Sequence, residues 1–100
     1  MAAYVAVLEV ELHFPETASL KGKRRELSSV KAQLQRRFGA AVAETAHHEL
    51  WQRAGLTVGL VGRDVRPLRD RSDKVERYLW GVFPDGVSVE CHVISTEDLH

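Results

Sequence analysis

The chain has 100 residues, of which 44% are hydrophobic and 28% are charged, a composition typical of globular proteins and not of disordered chains. Its single cysteine excludes an intrachain disulfide, and the sequence contains no apolar run long enough to argue for a membrane span. We therefore expect one cytoplasmic domain, residues 1–100, with a core that needs neither disulfide nor metal.

The formal net charge is zero, but the charges are unevenly distributed along the chain. Residues 19–38 carry seven of the fourteen Lys and Arg residues and one acidic residue, a net charge of +6 that leaves −6 for the remainder. The molecule is therefore polarised, and the basic segment is the first candidate for a surface that meets an anionic partner.

The first half of the sequence predicts a strand followed by a helix. Residues 4–13 alternate with a period of two, which is typical of a strand with one buried face. A turn is expected over residues 14–17, because the residue before a proline avoids the helical region. An apolar stripe then recurs at helical spacing up to Phe38. The candidate caps of this helix are Thr17 or Ser19 at its start and Gly39 at its end.

The second half repeats this pattern with one additional strand. A short edge strand is expected over residues 40–46 and a third strand from Leu56, followed by a helix capped by Asp64. A turn over residues 84–86 then leads to a last alternating strand that begins at Val87. The order β-α-β-β-α-β predicts a ferredoxin-like α+β fold, with two helices on one face of an antiparallel sheet of strand order 4-1-3-2.

This topology brings a group of unusual residues to one end of the molecule, where the first helix begins and the second and third strands turn over. Cationic side chains around a helix N-terminus favour phosphate, and a tryptophan can stack on a base. We therefore predict a site for RNA or phosphate at this end. Its candidate residues are Lys21, Lys23, Arg24, Arg25, His47, His48, Trp51 and Arg53, with His13 and Trp80 nearby.

Some of these residues also have a purely structural interpretation. A basic helix face is often only solvated surface. Trp51 can close the end of the core instead of stacking on a base. On the helical wheel Trp80 lies about 120° from Leu68 and off the apolar stripe, so it packs on a neighbouring turn or meets a partner.

The sequence contains no motif for catalysis or cofactor binding, neither a glycine-rich phosphate loop nor a G-x-S-x-G turn. Cys91 falls on the apolar side of the last strand, so we predict an inert core residue. The residues that resemble metal ligands are Glu11, His13, His47 and His48, but adjacent histidines in an extended chain point to opposite sides. We expect no metal, no cofactor and no enzymatic activity.

The sheet face opposite the helices is predicted to carry three carboxylates and no aromatic ring, which disfavours RNA binding of the kind seen in RNA-recognition motifs. The valines on the same face leave apolar surface uncovered. An alternative function follows from this surface: a small-ligand or protein-interaction domain that forms a homodimer through the open sheet face.

Three stretches of the sequence resemble one known family. They are VAVLEVELHFP at residues 5–15, SLKGKRREL at residues 19–27 and VAETAHHELWQRAGL at residues 42–56. Together they resemble the YlxP-like family of small bacterial proteins of unknown function, over essentially the full chain. The matching motif residues are Ser19, Leu20, Lys21, Lys23 and Arg24 in the helix, and His47, Trp51, Gln52, Arg53 and Ala54 after the second strand.

The resemblance implies a ferredoxin-like fold and a link to RNA or the ribosome, because the family's genes often lie among those for transcription elongation, translation initiation and ribosome maturation. Trp80 is not part of the matching motifs. The hypothesis that combines the resemblance with the basic segment is a non-catalytic accessory protein that binds structured RNA or a ribosomal particle.

Overall fold

The predicted order of helices and strands is confirmed in a computed structural model, which describes residues 2–15, 19–84 and 86–99. The elements are β1 Tyr4–His13, α1 Leu20–Phe38, β2 Ala41–Ala46, β3 Arg53–Gly62, α2 Val65–Val82, β4 Val87–Ser95 and a short 3-10 helix Thr96–Asp98. The four strands form one antiparallel sheet of order β2-β3-β1-β4. This is the predicted ferredoxin-like order 4-1-3-2, read from the other edge. None of the helices in the described ranges is long and apolar enough to cross a membrane.

The ends of α1 are set by the two predicted caps that lie within the described residues. The Ser19 hydroxyl accepts a hydrogen bond from the Gly22 N–H at 3.1 Å and so satisfies one of the free donors of the first turn. Gly39 adopts the left-handed conformation, with φ of 63°, and its N–H bonds to Gln35 O at 3.1 Å. The alternative cap Thr17 lies outside the described residues, as does Asp85 of the turn predicted before β4.

The core lies between the sheet and the two helices. Even-numbered residues of β1 from Ala6 to Leu12 are buried against the helices, so the predicted alternation is confirmed. The core residues of α1 are Leu27, Val30 and Leu34, with Lys23 on the same buried stripe. The helices meet where the ring of Phe38 packs against that of Tyr78, with centroids 5.8 Å apart.

The prediction for Cys91 is wrong in one respect. Its partner in the register is Leu8, so its side chain is on the helix side of the sheet as expected. It is nevertheless exposed. The reason is that β4 is an edge strand with a neighbour on one side only, and the alternation of a strand predicts which face a residue takes but not whether that face is covered.

One end of the sheet is closed by hydrogen bonds between segments that are distant in sequence. His13 N–H donates to Gly86 O and Phe14 N–H donates to Gln52 O, each at 2.8 Å. The strand β3 starts at Arg53, three residues before the predicted Leu56, because Arg53 still pairs with His13. The end of β1, the start of β4 and the connection between β2 and β3 therefore meet, as the topology predicts.

A pair of glycines in β3 offers a matched test of this packing. A Cβ added at Gly55 would lie 2.7 Å from the Cβ of Ala46, whereas nothing lies within 4 Å of one added at Gly59. We expect Gly55→Ala to lower the free energy of unfolding by about 1–3 kcal/mol through overpacking. Gly59→Ala should leave it unchanged or raise it by up to about 1 kcal/mol. Urea unfolding of both variants measures the difference, and equal stabilities would contradict the close approach at Gly55.

Candidate functional site

The candidate site depends on Lys23, whose side chain is buried, with 1% of its surface exposed. Its ammonium donates to the main-chain oxygens of His47 at 2.6 Å and Leu50 at 2.7 Å, and lies 3.2 Å from a carboxylate oxygen of Glu44. An ammonium has three N–H donors, so every one of them has a partner. Lys23 therefore joins the first turn of α1 to the turn between β2 and β3, residues 47–52, which we call the β2–β3 turn.

The prediction that Lys23 contacts phosphate is consequently wrong. On the helix Lys23 precedes Leu27 by four residues and Val30 by seven, so it lies on the buried stripe and not on the solvated face. Its apolar stem packs within the protein while the ammonium reaches the turn. The spacing to Leu27 and Val30 was the sequence signal that could have revealed this burial.

The β2–β3 turn has a strained residue at its start. His47 is a non-glycine residue with a positive φ, of 62°, in a region that such residues seldom adopt. Its carbonyl accepts hydrogen bonds from the Lys23 ammonium and from the Leu50 N–H, the latter at 3.2 Å. These bonds to the carbonyl hold the peptide that follows His47 in place.

On the opposite face of the sheet, Glu11 holds the side chains of His47, in this turn, and of Arg53, the first residue of β3. Its two carboxylate oxygens lie 3.0 Å from His47 Nε2 and 3.2 Å from Arg53 Nη2. Burial raises the pKa of Glu11, but the hydrogen bonds and charges of His47 and Arg53 outweigh burial and leave the pKa below its ordinary value of 4.5. His47 and Arg53, both predicted to bind RNA, thus already share a carboxylate.

The remaining predicted residues are exposed at this end. Lys21 and Arg25 are one helical turn apart on the outer face of α1, and no acidic residue occupies the first turn. His48 lies on the turn, with its Nε2 3.1 Å from Glu44 O. We call this end the basic end; its exposed members are Lys21, Arg24, Arg25, His48 and Trp51.

The two tryptophans are surface residues. Trp51 is 47% exposed, so its interpretation as a plug of the core is wrong. It lines a shallow cavity of about 220 Å³ together with Leu50 and Arg53. Trp80, in the last turn of α2, is 48% exposed. Of the six large hydrophobic side chains exposed in the described residues, four lie at this end: Leu50, Trp51, Trp80 and Val82.

The four candidate metal ligands are not brought together as one group. Within the described residues, no group of three or more His, Cys, Asp or Glu side chains is arranged to hold a metal ion. His47 contacts Glu11, whereas His48 contacts the main chain of Glu44.

Residues 5–85 match the family model described as "Protein of unknown function (DUF503)". The chain belongs to this family. No curated protein matches the sequence.

Among solved structures, the DUF503 chain is similar to the de novo designed protein Foldit4, with 12% identity, 94% of this chain and 96% of that one covered, and a TM-score of 0.56. It also matches a designed protein with a ferredoxin fold, LFR1 1, at 14% identity, 89% and 83% coverage and a TM-score of 0.38. A third match is 30S ribosomal protein S6 from Thermotoga maritima, at 13% identity, 96% and 91% coverage and a TM-score of 0.45. At such identities the likeness to Foldit4 shows the fold alone.

Replacing Lys23 tests its structural role in this DUF503 protein. Lys23→Met keeps most of the stem but leaves two carbonyls and the Glu44 carboxylate without their common donor. We expect a loss of about 3–5 kcal/mol in the free energy of unfolding, as for a buried ion pair that loses one partner. Lys21→Met, two residues earlier and exposed, should change it by less than about 0.5 kcal/mol. Similar unfolding midpoints for the two variants would refute the role assigned to Lys23.

The pKa of Glu11 predicts a pH dependence of stability. Because the folded-state pKa lies below the unfolded value near 4.5, the Glu11 carboxylate stabilises the fold at higher pH, and this contribution is lost as the pH falls below 4.5. The difference in unfolding midpoint between the wild type and Glu11→Gln should therefore be greater at pH 7 than at acidic pH. Glu9→Gln, on the same strand and face, serves as the control. A difference that grows on acidification would contradict the assignment.

Proposed function

We propose that this DUF503 protein is a non-catalytic accessory protein that binds structured RNA, free or within a ribosomal particle, through the basic end. The observation that carries the proposal is the link from Lys23 to the β2–β3 turn. This link holds a half-exposed Trp51 beside a helix start that presents Lys21, Arg24 and Arg25 to solvent. Within the DUF503 family, we also propose that the protein is one of the YlxP-like bacterial proteins. We further propose that it is located in the cytoplasm.

The chemistry of the basic end suits a folded RNA. Lys21, Arg24 and Arg25 would neutralise phosphates, and the free N–H groups of the first turn add a favourable dipole. Trp51 would stack on a base that is splayed from a loop or bulge, the part of RNA that proteins read most readily. A rigid turn lowers the cost of binding, because the ring is already placed in the free protein.

The rest of the surface supports this choice of end. On the open face of the sheet Glu9 lies directly opposite Glu90, with Glu11 two residues further along β1. These carboxylates repel a phosphate backbone. RNA would therefore approach the basic end in an orientation that keeps it away from the open face.

One observation favours the alternative function, a protein-interaction domain that dimerises through the open face. Val61 is 65% exposed and lies opposite Val5 in the register, with Val7 on the same face. A face-to-face dimer would bury these valines, and Val61→Glu would dissociate it. RNA binding by the basic end would not require this dimer.

Charge reversal tests the proposed RNA surface. Lys21→Glu with Arg25→Glu should weaken binding to ribosomal RNA fragments at least about tenfold and reduce the slope of log affinity against log salt by about 2. The matched control is Arg36→Glu with Arg66→Glu, which makes the same charge change at the opposite end of the helices. Fluorescence anisotropy across a salt series measures both effects.

Equal losses in the two double variants would show that binding depends on net charge and not on the basic end. Crosslinking in cells, followed by sequencing of the attached RNA, identifies the partner. The proposal is refuted if the wild-type protein recovers no more RNA than the Lys21→Glu, Arg25→Glu variant.

A further inference from the structure

The two edges of the sheet differ in how they are protected. The edge strand β2 has six residues and a register shift between Glu44 and Ala46. The edge strand β4 has nine residues, pairs with β1 without interruption, and contains no proline, lysine or arginine. Short length, bulges, prolines and charged side chains, above all lysine, are the features that normally keep a strand edge from pairing with another chain. Of these features the edge of β4 has one, the carboxylate of Glu90.

The hydrogen-bonding groups that β4 leaves free can be identified from the bonds at its ends. Gly86 O accepts from His13 N–H, and Thr96 N–H donates to Ala3 O. Since bonded and non-bonded pairs alternate along an antiparallel ladder, the even-numbered residues of β4 bond to β1 and the odd-numbered ones point outward. Cys91, at the centre of β4, therefore directs its N–H and C=O away from the sheet.

We propose that a second copy of this chain adds to β4 in antiparallel orientation, with the two-fold axis at Cys91, to form a continuous eight-stranded sheet. In this register the outward groups of Cys91 bond to those of the partner's Cys91. Val89 lies opposite the partner's Val93, a β-branched pair that suits a sheet. All nine residues of each strand are paired.

The pairing of Glu90 with His92 selects this register over its neighbours. With the axis at Cys91, Glu90 lies opposite the partner's His92, whose ring N–H can donate a hydrogen bond to the carboxylate. Moving the axis by one residue would instead place Glu90 opposite the partner's Glu90, or His92 opposite the partner's His92. Two carboxylates directly opposite each other destabilise a sheet.

Within one copy, Glu90 is poorly compensated. It lies directly opposite Glu9 in the β1–β4 register, a like-charged pair. Its own His92 is 3.7 Å away, and both side chains are more than half exposed. The partner's His92 would supply a cross-strand neighbour that the single copy cannot.

The flank of α2 above β4 is also suited to a second copy. Tyr78 faces α1 through its contact with Phe38, and Trp80 lies about 200° further round the helix, on the flank away from α1. An open cavity of about 450 Å³ is lined by Asp73, Glu76, Arg77 and Trp80 on this flank. In the dimer the partner's second helix lies on the same side of the sheet, so this flank faces it, which accounts for the exposure of Trp80.

Proline at Cys91 tests the pairing. It removes an N–H that points outward and breaks no bond to β1, so the monomer can tolerate it at an edge. By sedimentation equilibrium, Cys91→Pro should raise the dimer dissociation constant at least about tenfold, because two symmetry-related hydrogen bonds are lost. Cys91→Ser, which keeps the N–H, should dimerise like the wild type. A monomeric wild type, or an undiminished dimer in Cys91→Pro, overturns the proposal.

Disulfide trapping tests the register in the wild-type protein, in which β4 carries no substitution. Paired Cys91 residues would have Cα atoms about 5.5 Å apart, within reach of a disulfide. Mild oxidation should therefore link the wild-type dimer covalently. The control Cys91→Ser with Ser95→Cys places the thiol on the same edge but opposite the partner's Val87, so it should not crosslink. Equal crosslinking of the two proteins refutes the register. If the dimer is lost in Val61→Glu but kept in Cys91→Pro, the interface is instead the open face of the sheet.

Discussion

The buried ammonium of Lys23 is the interaction on which the arrangement of the basic end depends. Taking a charge out of water costs several kcal/mol, which is offset only if the charge and its hydrogens are all matched. Glu44 supplies the opposite charge, and the carbonyls of His47 and Leu50 take the remaining donors. A displaced turn would leave this ammonium buried and unsatisfied. The contacts of Lys23 therefore couple the position of the β2–β3 turn to the packing of α1.

Lys23 and Glu11 hold the same turn from opposite faces of the sheet. Lys23 binds its main chain from the helix side, and Glu11 binds the side chains of His47 and Arg53 from the open side. This arrangement separates the basic residues into two roles. Lys23 and Arg53 maintain the shape of the end, whereas Lys21, Arg24 and Arg25 of α1 are exposed to solvent. Two stretches that look independent in the sequence, residues 19–25 and residues 47–53, are therefore parts of one structure.

The fold could be predicted because it depends on periodicity: the alternation of β1 and the apolar stripes of the helices specify which faces are buried. One prediction failed because charge was given more weight than periodicity, and the others failed where periodicity carries no information. Lys23 was assigned to the surface because of its charge, although its position on the stripe predicts burial. The alternation of β4 placed Cys91 on the helix side but could not show that no helix covers it. Whether Trp51 is core or surface depends on how far the turn projects beyond the sheet, which local sequence does not encode.

The basic end and the edge of β4 are separate surfaces, and their combination has a geometric consequence. A two-fold axis normal to the sheet at Cys91 reverses the strand direction, so the basic ends of the two copies lie at opposite ends of the eight-stranded sheet. One compact RNA element could then reach only one of them. The dimer would bind two separate elements, and its gain in affinity for a long RNA would depend on whether the spacing of those elements matches the dimer. The net charge of the chain is zero, but its charges are unevenly distributed. This distribution agrees with the dimer, because the acidic open face lies between the two basic ends.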